Sequence, residues 1–369
     1  MGVIKPVQTA SSRNWGIDLL RLAAMFYIVV LHTFGLGGIC DAAQPGTMQY
    51  YFSWFFQMQV TCAVNIFALI SGYVGFTQQK KPWRSESILI LWLQVVFLSA
   101  AVRLFFYLLH PQAFSLSGLI QMFLPITTNT YWYFTAYAAL FFLIPLLNEA
   151  VRNSEDALLR RLFVILILLF SVYSILGDRW RLFSGFSMLW LAILYVLGAI
   201  LKKCGIGSGI TTGQALLIIL VCTGISWLVK LFENRSGLLL GHSLVDQTYL
   251  TPMHLISAMA HLLLFSKLQP GPRTQRLIAA AAPGSFAVYI LNCHPDILSI
   301  LVVGKFASCA IDPVWLLCMK VMLFSGVFLA VSLVVDYLRQ KLFHLFRVPR
   351  LAGWIAGKAE NCMDHLFRH

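Results

Sequence analysis

Charge is what this chain is short of. Only 11% of its residues are Asp, Glu, Lys or Arg, against about 25% in soluble domains. No stretch of ~100 polar residues is present that could form a separate soluble domain. The eight cysteines include no Cys-x-x-Cys pair and no metal-ligand spacing, so a thiol-redox motif and a structural zinc site of the usual kind are excluded. Most of them lie in apolar runs and read as small hydrophobes. No A-x-A cleavage site follows the polar opening Met1 to Gly16, so the first apolar run is expected to be a retained membrane helix and not a signal peptide. No internal repeat or low-complexity tract is visible.

What is present is apolar: 59% of the residues are hydrophobic and the mean hydropathy is +0.79. These values point to an all-α polytopic membrane protein, with one bundle of about ten transmembrane helices. The expected spans are Ile17 to Gly38, Phe52 to Phe76, Ser87 to Leu109, Tyr131 to Leu147, Leu162 to Leu176, Gly185 to Leu201, Thr212 to Leu231, Leu250 to Ser266, Pro283 to Val303 and Val314 to Leu338. The segment Phe114 to Pro125 reads as a loop or a half-inserted amphipathic piece. Residues 1–338 form the membrane domain in this reading. The tail 339–369 mixes Leu342, Phe343, Leu345, Phe346 and Trp354 with basic residues, as an amphipathic helix at the inner interface would.

The 27 Lys and Arg exceed the 14 Asp and Glu, and their placement decides between a nucleic-acid surface and membrane topology. Nineteen fall at the two termini and in alternate loops, six in the opposite loops and helix ends, and two, Arg21 and Lys320, inside spans. This is the positive-inside bias of a plasma-membrane protein with both termini cytoplasmic. Nucleic acid drops out as a partner, and attraction to anionic membrane lipid remains.

A charge at mid-bilayer costs several kcal/mol, roughly 2.5–3.5 by insertion scales, so each needs a partner or a task. Asp18, Arg21 and His32 share the first span. Eleven steps at 100° bring His32 back within about 20° of Arg21, some 16 Å further along the axis. One stripe therefore carries a cation near the inner end and an imidazole in the outer half. The plain alternative is an Asp18–Arg21 ion pair with a core histidine. In the ninth span Pro295 follows His294; it removes a hydrogen bond to the Leu291 carbonyl, which predicts a bent helix with a free acceptor beside the histidine. Lys320 falls at a similar depth, or reaches outward to the interface. His254 and His261 share a face, but no further ligands lie near, so no metal is expected. Gly72 suits close helix packing, while Asn65, Ser71 and Tyr73 form a polar patch that could line a cavity. Tyr131, Trp132 and Tyr133 read as an aromatic belt at the outer interface, with Trp132 also a candidate for the site.

Gly16-Ile17-Asp18-Leu19-Leu20-Arg21, followed after ten residues by His32, resembles the opening motif of the membrane-bound acyltransferase-3 family. Phe67 to Tyr73 is similar to that family's F-x-x-x-S-G-[FY] segment, Tyr131-Trp132-Tyr133-Phe134 with Pro145 to its Trp-Phe helix, and Ser285 to Pro295 to its late Tyr…His segment. The likeness spans about Gly16 to Leu338. One departure is that Arg84 is followed by Ser85-Glu86-Ser87, where family members often carry paired arginines.

The resemblance implies an O-acyltransferase that moves an acyl group, acetyl foremost, from cytoplasmic acyl-CoA to a hydroxyl of an extracytoplasmic or lipid-linked cell-envelope carbohydrate. Acetyl-CoA is then the co-substrate. Histidine's ordinary pKa suits a general base, so His32 is the expected base and His294 the second catalytic candidate. Arg21, Lys80, Lys81 and Arg84 are expected to hold the donor's phosphates. Asp18, Asn65, Ser71, Tyr73, Trp132, Tyr289 and Lys320 complete the expected substrate-binding set. Direct transfer is favoured over an acyl-enzyme, and assembly into a homo-oligomer is left open. A transporter or flippase of a lipid-linked glycan is the competing class, since it too would need a polar path through the bilayer.

Overall fold

The computed structural model describes residues 13–78, 85–237, 243–246 and 248–366. Among these, every regular element is helical. Lys80, Lys81 and Arg84, expected at the inner mouth, lie outside the described residues.

Each of the ten apolar runs is helical, but their lengths divide them. Seven are long and apolar enough to cross a bilayer: Trp15–Ala42, Met48–Gly75, Ser85–Leu109, Trp132–Asn153, Asp156–Leu176, Thr212–Ser236 and Val314–Leu345. An eighth counts if Pro272–Asn292 and Pro295–Ile311, bent by 65° at the break between them, form one span. The remaining two helices, Met188–Cys204 with 17 residues and Pro252–Ser266 with 15, fall short of the ~20 that a lone crossing needs. The chain is thus a multi-pass helical membrane protein in which length and composition support seven or eight crossings.

The short helices are enclosed by their neighbours. Met188–Cys204 buries Trp190, Leu194, Tyr195 and Leu197 and runs along Ala63–Gly75. A Cβ on Gly72 would sit 1.9 Å from the Tyr195 carbonyl oxygen, and one on Gly198 2.2 Å from the Leu69 carbonyl oxygen. Both glycines are therefore required for this backbone-to-backbone approach. The outer helices turn apolar side chains outward, as with Leu323, Val327, Val331 and Val334 on Val314–Leu345. Their spacing of four, four and three residues marks one helical face, the face a lipid-exposed helix presents.

Three placements differ from the sequence reading. Val314–Leu345 continues past residue 338. Within it Arg339, grouped with the tail cations, is buried and bonded to the fully buried Asp336, which also accepts from Gln94 at 3.1 Å. Arg103, expected at a helix end, lies within Ser85–Leu109 and pairs with Asp296 at 2.8 Å. The tail forms helix Val348–Leu366, packed on Ser85–Leu109, where the Ser85 hydroxyl donates to Glu360 at 2.5 Å. The segment after Leu109 forms a short helix, Leu116–Phe123, that leaves Leu116, Ile120 and Phe123 exposed.

Candidate active site

The first helix starts at Trp15 because Asn14 caps it, its side-chain oxygen accepting from the Ile17 amide at 3.1 Å. From there Arg21, Met25, Ile28 and His32 follow at spacings of four, three and four, which is one continuous helix face. Met25, Ile28 and His32 line a small apolar chamber together with Ala63, Phe67, Tyr133, Phe286 and Cys293. Its free volume is about 30 Å³, room for one or two water-sized groups. His32 also lines a second, open cavity of about 820 Å³ at the C-terminal end of the same helix, with Gly35, Asp41, Trp54, Gln57 and Asp246 in its wall. Trp132 and Tyr249 border both spaces. The imidazole thus stands where a narrow apolar chamber meets a wide, wetter vestibule.

His32 is oriented from across the bundle. Its Nδ1 lies 2.5 Å from Oδ1 of Asn292, a fully buried residue 260 positions away. An amide oxygen only accepts, so Nδ1 carries the proton and Nε2 is left as the basic nitrogen. Asn292 is the last residue of helix Ser285–Asn292. The chain then breaks at Cys293–His294 and restarts at Pro295, which occupies the first turn of the next helical segment, where its missing N–H is no loss. The expected bend is therefore a full break, and the Leu291 carbonyl is not a free acceptor, because it receives the His294 amide at 3.3 Å.

His294 itself is buried and absent from the wall of either cavity. Its Nδ1 accepts from the Asp296 amide at 3.2 Å and its Nε2 lies 3.3 Å from the Ser99 carbonyl. With one nitrogen accepting and the other donating, both lone functions of the neutral ring are committed to backbone. The Arg103–Asp296 pair sits beside it, so the break is pinned to Ser85–Leu109 by an ion pair as well as by the histidine.

The other expected residues disperse. Asp18 bridges Arg13 and Arg21, each at 2.5 Å, so the ion pair foreseen as the plain alternative exists and Arg21 remains 28% exposed beside it. Asn65 donates to the Tyr249 carbonyl at 2.8 Å and accepts from Trp190 at 3.0 Å; it ties helices together and faces neither cavity. Ser71 bonds back to the Phe67 carbonyl, and the Tyr73 ring lies under Lys202. Lys320 pairs with Asp312 at 2.6 Å with 44% of its side chain exposed, away from His32. Trp132 and Tyr289 do reach the chamber. The belt reading of Tyr131 to Tyr133 gives way, since Tyr131 and Tyr133 are buried and the Tyr133 amide donates to the Tyr289 hydroxyl at 3.1 Å.

Residues unforeseen in the sequence include Asn292, Tyr133 as a polar chamber residue, and Trp54, Gln57, Asp41, Asp246 and Tyr249 around the vestibule. Asn292 stands two residues before His294 in a motif already singled out, yet nothing local ties it to His32.

A helical bundle with seven or eight apolar spans, holding an oriented histidine at the junction of two cavities, defines a multi-pass membrane protein. The profile of the acyltransferase-3 acyltransferase domain matches residues 14–346, nearly the whole chain. The protein belongs to that family. No curated protein and no solved structure matches it.

Proposed function

We propose that this protein is a membrane O-acyltransferase that moves an acetyl group from cytoplasmic acetyl-CoA to a hydroxyl of a cell-envelope carbohydrate, with His32 as general base. Family membership supports acyl transfer. The observation that carries the rest is His32 between chamber and vestibule with Nδ1 held by Asn292. The donor enters along the Arg21 face, the side that positive-inside sorting favours as cytoplasmic, and Met25 and Ile28 move aside for the pantetheine arm. A chamber of about 30 Å³ suits a two-carbon acyl group better than a fatty chain.

In the reaction, His32 Nε2 takes the acceptor hydroxyl proton as that oxygen adds to the thioester carbonyl. The tetrahedral intermediate collapses with breakage of the C–S bond, and the departing CoA sulfur recovers the proton from His32. Charge on the carbonyl oxygen needs a donor. Tyr133 lines the chamber with a buried hydroxyl that has no hydrogen-bond partner among the described residues, and it serves as that donor in this scheme. The test is transfer of label from acetyl-CoA to extracted envelope glycan by purified protein. Label in the glycan with wild type and none with His32→Ala is expected; absence of label with folded wild type rejects the transferase reading in favour of transport.

A further inference from the structure

The vestibule has a composition of its own. Its wall combines an aromatic group, Trp54, Trp132, Phe186 and Tyr249, with Gln57 and the carboxylates Asp41 and Asp246. Trp132 and Tyr249 stack at 15° with ring centroids 6.1 Å apart, and Phe186 packs on both, which makes a rigid apolar platform at the His32 end. Two wall residues carry unsatisfied polar groups. Trp54 Nε1 and Gln57 Oε1 have no hydrogen-bond partner among the described residues, although the two side chains belong to residues only 6% and 7% exposed. One is a donor and the other an acceptor, three positions apart on helix Met48–Val60. Leaving such groups unpaired costs about 1–3 kcal/mol each, a cost relieved by a ligand hydroxyl that both donates and accepts.

The charge on the wall has one sign. No Lys or Arg lines the vestibule among the described residues. Behind the wall Lys230 is tied to Asp246 at 3.0 Å and to the Trp54 ring at 4.5 Å. Asp41 is exposed and makes no ion pair among the described residues. An anionic ligand entering here meets the Asp41 carboxylate and, among the described residues, no Lys or Arg on the wall, and within a Debye length of about 8–10 Å that repulsion persists at physiological salt.

Building on the acyltransferase reading, we infer that the vestibule is the acceptor subsite and that it selects an uncharged sugar, stacking its ring on the Trp132–Tyr249 platform, bonding its hydroxyls to Gln57 and Trp54, and excluding uronic-acid and phosphate-bearing residues. The volume of about 820 Å³ holds a sugar of one to three rings.

The experiment uses the full-length protein in lipid nanodiscs with labelled acetyl-CoA, and compares methyl glucoside with methyl glucuronoside, the same ring with a carboxylate at the sixth carbon. Wild type is expected to favour the neutral acceptor at least tenfold in kcat/KM. Gln57→Met, close in shape but without the amide, is expected to raise the acceptor KM by about 3- to 10-fold, the loss of one hydrogen bond, with the acetyl-CoA KM unchanged. Asp41→Lys, at an exposed position, is expected to narrow the neutral preference by threefold or more while the protein's melting temperature stays put. Equal use of the two sugars, preference for the anionic one, or an unaltered acceptor KM in Gln57→Met overturns the inference. Label in envelope extract but in neither probe also overturns it and leaves the transferase reading standing, whereas no label in any acceptor removes both.

Discussion

At the scale of single residues, the site is a division of labour between two nitrogens and two oxygens. His32 Nδ1 is held by Asn292, and in the proposed reaction Nε2 is the base. Removing the base, His32→Ala, is expected to lower kcat by about 10²–10⁴ without loss of coenzyme A affinity, measured on one preparation by turnover and calorimetry. Asn292→Ala frees the ring to turn and is expected to cost about 10- to 100-fold, as loss of an orienting partner does. Asn292→Asp keeps the acceptor and adds a negative charge that favours imidazolium. Because the base must be neutral to work, raising its pKa moves the acid limb of the kcat/KM profile to higher pH. A merely structural asparagine would move stability and leave that limb in place. Tyr133→Phe is expected to lower kcat about 100-fold, in the range for a lost oxyanion donor, with both KM values nearly unchanged. Arg21→Ala is expected to raise the acetyl-CoA KM, and Arg21→Lys to restore it in part, since lysine offers a point charge without the planar fork; an unaltered donor KM leaves Arg21 as Asp18's partner alone. His294 has its ring bonded to backbone on both sides, and His294→Ala is expected to lower thermal stability more than it changes either KM.

At the scale of elements, the determinant is the break between Asn292 and Pro295. It lets the chain present Asn292 toward the first helix while Asp296 turns back to Arg103 on Ser85–Leu109. The two side chains of that pair are 12% and 22% exposed, so Arg103→Ala strands a largely buried carboxylate. A loss of about 2–3 kcal/mol is expected, below the 3–5 of fully buried pairs, read as a lower melting temperature in detergent. Arg103→Met with Asp296→Leu removes both charges and is expected to recover most of that loss; a double variant no more stable than Arg103→Ala shows that the pair does not anchor the break. Local rules explain how far the sequence could be read here. Arg21 and His32 ride on one helix, so periodicity alone relates them. Pro295 announced a disruption, and its position in the first turn of a new segment made it a stop and restart instead of a bend. Asn292 and His32 meet across 260 residues, and Trp54 and Gln57 share a cavity wall with Tyr249 only through the tertiary fold. No period or spacing carries such a relation. The same holds for Asp336 and Arg339: three positions apart on one helix they are an ordinary pair, and only tertiary burial makes them interior charges.

At the scale of the whole molecule, the parity of the crossings sets which faces the two ends occupy. Seven crossings put the two ends of the chain on opposite faces of the membrane; eight or ten put them on the same face. The nineteen-to-six sorting of Lys and Arg favours both ends inside, and the enclosure of Met188–Cys204 explains how a helix of 17 residues can cross: its length lies at the short limit of about 17–25 residues, and its neighbours cover most of it from lipid. The chain supplies its own probe. Of eight cysteines, Cys362 is the exposed one; five others are buried and Cys293 and Cys318 are partly covered within spans, and Cys309 is among the buried. A thiol must ionise to react, so those within the bundle are slow targets. A membrane-impermeant maleimide is therefore expected to leave the wild-type protein unlabelled in intact cells and to label Cys362 once the cells are permeabilised. Gln44→Cys, exposed in the turn after the first span, is expected to label in intact cells. Ser208→Cys, exposed between Met188–Cys204 and Thr212–Ser236, is expected to label only after permeabilisation. With Cys362 and Ser208 on one face and Gln44 on the other, Met188–Cys204 counts as a crossing and the vestibule end of the first span faces outside. Labelling of Ser208→Cys in intact cells removes that crossing, and labelling of Cys362 there places the C-terminal end outside and rejects the even count.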